Sequence, residues 1–123
     1  MHDGLSYSLW LPDIPARGGV VVLHGAGSCK ENHHDFARAA LGADLAAIVF
    51  DQRGHGESDG PMDGRALGDV GQMADLLRAR MGARDVALRG SSMGGYLALV
   101  SARAGQTATT TWACTACAQR SAR

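Results

Sequence analysis

Several things are scarce in this chain, and each shortage narrows what it can be. Lysine occurs once, at Lys30, and the twelve basic residues are matched by twelve acidic ones. A formal net charge of zero and the absence of a basic stripe argue against nucleic acid or an anionic membrane surface as partner. The skew toward arginine, with many Ala and Gly, reads as GC-rich coding rather than function. Three cysteines, Cys29, Cys114 and Cys117, are too few and odd in number for a disulfide framework. Apolar runs such as Val20–Leu23 are far too short to span a bilayer. Residues 1–17 lack the basic start and unbroken apolar stretch of a signal peptide, which makes a soluble, cytoplasmic protein the expectation. With 46% hydrophobic residues in 123, the chain has apolar material for one small globular domain or a piece of a larger one.

What is present alternates strand and helix. "LSYSLWL" (5–11) partly alternates apolar and polar residues and ends at Pro12, as a half-buried strand does. "GGVVVLHG" (18–25) and "LAAIVFD" (45–51) read as strands covered on both faces, as in a parallel sheet. Between them Phe36, Ala37, Ala40 and Leu41 have helical spacing, with Gly42 as a stop. Residues 52–64, dense in Gly, Asp, Pro and Ser, form a loop. Leu67, Val70, Met73, Ala74, Leu77 and Met81 then mark one helix face. "RDVALRG" is a further buried strand and "SMGGYLALVSARA" the helix after it. This rhythm predicts an α/β fold, a mostly parallel sheet with helices on both faces. The tail, 105–123, contains no Leu, Ile, Val, Phe, Met, Asp, Glu or His. It is expected to be irregular, with the folded part confined to 1–104.

Three stretches carry chemistry. Gly90-Ser91-Ser92-Met93-Gly94 fits G-x-S-x-G, a serine at a tight strand-to-helix corner. A side chain held out at such a corner crowds the positions two before and two after it, and Gly90 and Gly94 relieve that crowding. Ser92 also stands at a helix N-terminus, where N–H groups and the helix dipole favour developing negative charge. The second stretch, "LHGAG" (23–27), leaves a strand's C-terminal end on the same rim. There the N–H of Ala26 could pair with that of Met93 to hold an oxyanion. His24 is a candidate base, but the stronger reading has it bracing the loop through hydrogen bonds. A rival reading, phosphate binding by "GAGSCK" (25–30), fails: the third glycine of the dinucleotide fingerprint is missing, and Lys30 lies between Cys29 and Glu31 rather than Gly and Ser/Thr. The third stretch, "DQRGHGESDG" (51–60), suggests a loop fixed by internal hydrogen bonds, with Arg53 paired to Asp51 or Glu57.

With "HGAG", "DQRGHGES" and "GSSMGGYLAL" in this order and spacing, residues 5–104 resemble the N-terminal half of an α/β-hydrolase-fold serine hydrolase. The resemblance is to the esterase, monoacylglycerol-lipase-like and serine-aminopeptidase-like branch. It implies Ser92 as nucleophile, the N–H groups of Ala26 and Met93 as oxyanion hole, no metal, no bound cofactor, and a small-molecule acyl substrate. Ser91 stands where many relatives carry His.

The acid and histidine of that family follow the nucleophile in the chain, yet nothing after Ser92 is Asp, Glu or His. Resemblance is therefore expected to stop near residue 104, with the reading frame or the gene interrupted there. Truncation would leave the strand before Ser92 as an exposed sheet edge, open to self-association. The alternative is a non-catalytic remnant or interaction protein that keeps the half-fold. Among upstream histidines, His33 and His34 of "HHD" point in different directions on a helix and are expected to face solvent. "CTAC" (114–117) has C-x-x-C spacing without the further ligands or strand–helix context that metal or redox chemistry requires.

Overall fold

The computed structural model describes residues 4–82, 85–91, 93–103 and 111–114. Five strands form one sheet: β1 (Tyr7–Trp10), β2 (Gly18–Leu23), β3 (Leu45–Phe50), β4 (Val86–Ser91) and β5 (Thr111–Cys114). Their spatial order is β1-β3-β2-β4-β5, with β1 antiparallel to β3 and the other pairings parallel. Helices α1 (His34–Gly42), α2 (Ala66–Met81) and α3 (Met93–Arg103) make the connections, and a 3-10 turn over Lys30–His33 leads into α1.

Strand periodicity decides which residues face which layer. Val20, Val22, Ala47 and Val49 point to Ala37 and Ala40 of α1. Val21, Leu23, Ile48, Phe50, Val86 and Leu88 point the other way, onto Val70, Met73, Leu77, Leu97 and Ala98 of α2 and α3. Strands buried on both faces need apolar residues at every position, which is why "VVVL" and "AAIVF" show no alternation. In α2, Ala66, Val70, Met73, Ala74 and Leu77 lie on one buried stripe. The left-handed residue after α1 is Asp44 (φ 65°), two positions past Gly42.

Four residues of the tail depart from the expected irregular structure. Thr111–Cys114 forms β5, in parallel register with Leu88–Ser91. Threonine and tryptophan suit an extended backbone, and a short outer strand needs the hydrogen bonds of one neighbour rather than a large apolar surface. Consequently β4 is not a sheet edge; the outer strands of the described sheet are β1 and β5. Residues 104–110 and 115–123, including Cys117, lie outside the described residues.

Candidate active site

The C-terminal ends of β2, β3 and β4 bring three segments to one rim. These are the loop after β2 (24–29), the loop after β3 (51–64) and the corner between β4 and α3. Leu23 is in register with both Phe50 and Gly90, so the three strands end level.

Ser92 itself lies outside the described residues, but its neighbours define the corner. Ser91 ends β4 and Met93 begins α3, a strand-to-helix turn. A Cβ at Gly90 would collide with the backbone of Gly94 and Gly95. One at Gly94 would collide with the Leu23 carbonyl oxygen and lie 2.6 Å from that of His24. Both glycines are thus required by close backbone approach, which seats the first turn of α3 against the end of β2. Beyond His24 the chain turns at Gly25–Ser28, closed by Ser28 N–H donating to the Gly25 carbonyl (3.1 Å), with Gly27 at φ 72°. Ala26 sits exposed at that turn. Among the described residues the turn and loop hydrogen bonds include no backbone acceptor for the N–H of Ala26.

His24 braces this rim. It is fully buried, and its Nδ1 lies 2.7 Å from the Gly25 carbonyl oxygen. A carbonyl can only accept, so Nδ1 carries the proton and Nε2 is free to accept from Gln52 N–H (3.0 Å). The His24 carbonyl in turn accepts from Gln52 Nε2 (2.6 Å). Burial pushes the imidazole below its ordinary pKa; the neighbouring His55 acts in the same direction, while the Gly25 bond and Asp51 oppose. With both ring nitrogens engaged, His24 is a brace and not a base. His55 packs on its ring at 4.9 Å between centroids, with Nδ1 2.9 Å from the Arg53 carbonyl.

Asp51, fully buried at the end of β3, organises the second loop. Its Oδ1 accepts from Lys30 N–H (2.7 Å) and its Oδ2 from Lys30 Nζ (2.9 Å) and Glu57 N–H (3.0 Å). The Lys30 ammonium also meets Glu57 (2.8 Å) and Glu31 (3.0 Å). Burial works against both charges. Hydrogen bonds outweigh it: Glu57, Asp51 and Glu31 hold the lysine above its usual pKa, and the Glu57 and Lys30 donors hold the Asp51 carboxyl below its own. This occupied lysine has no role left in phosphate binding. Arg53 does not pair with Asp51 or Glu57, whose carboxylates Lys30 has taken. It reaches α2 instead, where its terminal nitrogen donates to Asp69 Oδ1 (3.0 Å) and its Nε lies 2.6 Å from Oδ2. Ser58 closes the loop, accepting from Ser6 N–H (2.8 Å) and donating to the Asp51 carbonyl.

The "HHD" histidines are half-buried rather than solvent-facing. His34 Nε2 meets Ser8 Oγ at 3.0 Å and its ring packs edge-on to Trp10. Burial, with Arg89 and His24 nearby, lowers the pKa of His33. Helix α1 packs on β1 and β3, which brings the His34 ring to Ser8 and Trp10. Neither the Lys30 network nor the Gln52 brace was readable from sequence: lysine after a glycine turn and glutamine in a polar loop are unremarkable neighbours until the fold joins them.

Comparison with known proteins gives this geometry a family. Residues 14–122 match the family model for serine aminopeptidase, S33, so the match runs well past residue 104. The human monoglyceride lipase is 33% identical over 98 residues, 76% of this chain and 32% of the lipase. A monoacylglycerol lipase of Mycolicibacterium smegmatis is 39% identical over 54 residues, 44% of this chain and 19% of that protein. Among solved structures, a lidless α/β serine hydrolase of Xanthomonas campestris superposes with a TM-score of 0.71 at 25% identity, over 84% of this chain and 52% of that one. The chain thus spans about a third of the human relative's length. On this match, over most of its residues, the chain belongs to the serine aminopeptidase S33 family and so to the α/β-hydrolase serine hydrolases.

Proposed function

We propose that this chain carries the nucleophile side of a carboxylic-ester hydrolase site, with Ser92 as nucleophile and the N–H groups of Ala26 and Met93 as oxyanion donors. The observation that supports it most is the seating of Gly94 against the Leu23 and His24 carbonyls, which brings the Ala26 turn beside the residue following Ser92. An ester, rather than an amide, is favoured because the human and mycobacterial relatives bear the names of monoglyceride and monoacylglycerol lipases.

In the reaction, Ser92 Oγ attacks the acyl carbon and the carbonyl oxygen becomes an oxyanion facing the two N–H groups. Collapse expels the alcohol, leaves an acyl-serine, and water repeats the sequence to release the acid. Each half needs a base to take a proton and return it to the leaving group. Residues 93–123 hold no Asp, Glu or His, the stretch from which an acid and base following the nucleophile would come, and upstream His24 has both ring nitrogens in hydrogen bonds. The chain by itself is therefore proposed to turn over little, keeping at most the roughly 10³–10⁴-fold over water that an oxyanion hole and binding supply. That same observation favours a second reading, a half-fold without catalysis.

One assay separates the two. The purified chain is incubated with a fluorophosphonate probe and with p-nitrophenyl acetate, using Ser92→Ala as control. Ser92-dependent labelling with weak or no turnover supports a nucleophile side without its base. Labelling that survives in Ser92→Ala refutes the nucleophile assignment, and folded protein that neither labels nor turns over favours the non-catalytic reading, a serine without its base being a poor nucleophile.

A further inference from the structure

His24 is the point where three segments of the rim meet. Its ring fixes its own loop through Gly25, its Nε2 and carbonyl oxygen hold Gln52, and the same carbonyl abuts Gly94. We propose that neutral His24, protonated at Nδ1 alone, is a positioning residue whose latch to Gln52 sets the Ala26 turn, and that adding a proton at Nε2 opens it.

The reasoning is about donors and acceptors. Gln52 N–H is a donor, and it requires a lone pair on Nε2. A second proton there puts two donors face to face at 3.0 Å, so the bond must break or the proton must stay off. The groups facing the ring are few. His55 and Asp51 lie on the loop after β3 and His33 on the 3-10 turn, while α3 presents glycine backbone. Arg89 of β4 faces His33, not His24. Lys30 is bound to Asp51, Glu57 and Glu31. His55, stacked on the same ring, further disfavours charge on His24. Because the neutral ring is the folded form, the latch's contribution to stability is complete above the unfolded histidine pKa of 6.5. It is lost as pH falls from there through the lowered folded value.

The effect on catalysis rests on Ala26 being an oxyanion donor; the latch does not. The test uses the whole chain, labelled with ¹⁵N and followed by NMR from neutral to mildly acidic pH. The His24 ring should show the Nδ1–H tautomer at neutral pH. As it takes up its second proton, the exchange protection of the Gln52 amide should fall about tenfold, the loss expected for one hydrogen bond. The Ala26 amide signal should move with the same midpoint. His24→Gln, which offers an untitratable acceptor near the Nε2 position, should make the Gln52 protection independent of pH. An Nε2–H tautomer, or Gln52 protection or an Ala26 signal that ignores the His24 titration, overturns the proposal. The wild-type titration decides this even where the variant does not fold, and no readout depends on Ser92, so probe labelling fails or succeeds separately.

Discussion

Replacing Lys30 by methionine isolates the ion network under the loop after β3. The Asp51 carboxylate has no exposed surface and the Lys30 side chain retains 6%. Removing one partner of a buried pair typically costs about 3–5 kcal/mol, because the other charge stays buried without compensation. Two donors would remain on Asp51, the N–H groups of residue 30 (2.7 Å) and Glu57 (3.0 Å), which places the expected loss near the lower end, about 3 kcal/mol. Against a domain stability of about 5–15 kcal/mol, that is a large share. Glu57→Gln removes a carboxylate from the same ammonium, but its side chain is 73% exposed, so the loss should stay below about 1 kcal/mol. Urea unfolding followed by circular dichroism reads both. The acid limb adds a second check. Donors hold Asp51 below its ordinary pKa of 3.8, so its contribution is present above that pH and disappears as pH falls through the folded value. Without the ammonium that folded value rises toward or past the unfolded one, so the acid-induced loss assigned to Asp51 should shrink or reverse in Lys30→Met. Equal, small losses for the two variants would refute the claim that burial, and not the count of ion pairs, decides their worth.

Two further perturbations test how the rim is assembled. Gly94→Ala places a methyl against the Leu23 and His24 carbonyls, backbone atoms that cannot rotate away, and should cost about 1–3 kcal/mol in thermal or urea unfolding. A Gly94→Ala variant as stable as wild type would mean that α3 does not approach β2 so closely. Asp69→Asn removes the carboxylate that anchors Arg53 to α2 and should cost about 1.5–3 kcal/mol, the range for hydrogen bonds to charged groups. Trypsin should then cut after Arg53 faster than in wild type, and an unchanged cleavage rate would show that other contacts hold the loop.

Much of the architecture was legible because one-dimensional patterns carried it. "GGVVVL" and "LAAIVF" announce strands buried on both faces, and the three-and-four spacing from Val70 to Leu77 announces α2. Glycines two residues either side of Ser92 announce the corner, since a side chain there has nowhere to go. What failed had no such pattern. The strand at Thr111–Cys114 has no Leu, Ile or Val and pairs with β4 in parallel register. Arg53 was assigned a partner within its own loop, but Lys30, 21 positions before Asp51, had already filled that carboxylate.

Local sequence determined the order of elements from β1 to α3, the corner between Ser91 and Met93 and the small residues its backbone contacts demand, because sterics and periodicity act between near neighbours. Tertiary structure alone decided that His24 would be spent as a brace, that the single lysine would be buried among carboxylates, and which carboxylate Arg53 would meet. Those outcomes depend on the packing of strands and helices, which joins residues 16 to 28 positions apart, and electrostatic and hydrogen-bond partners are chosen only at contact distance.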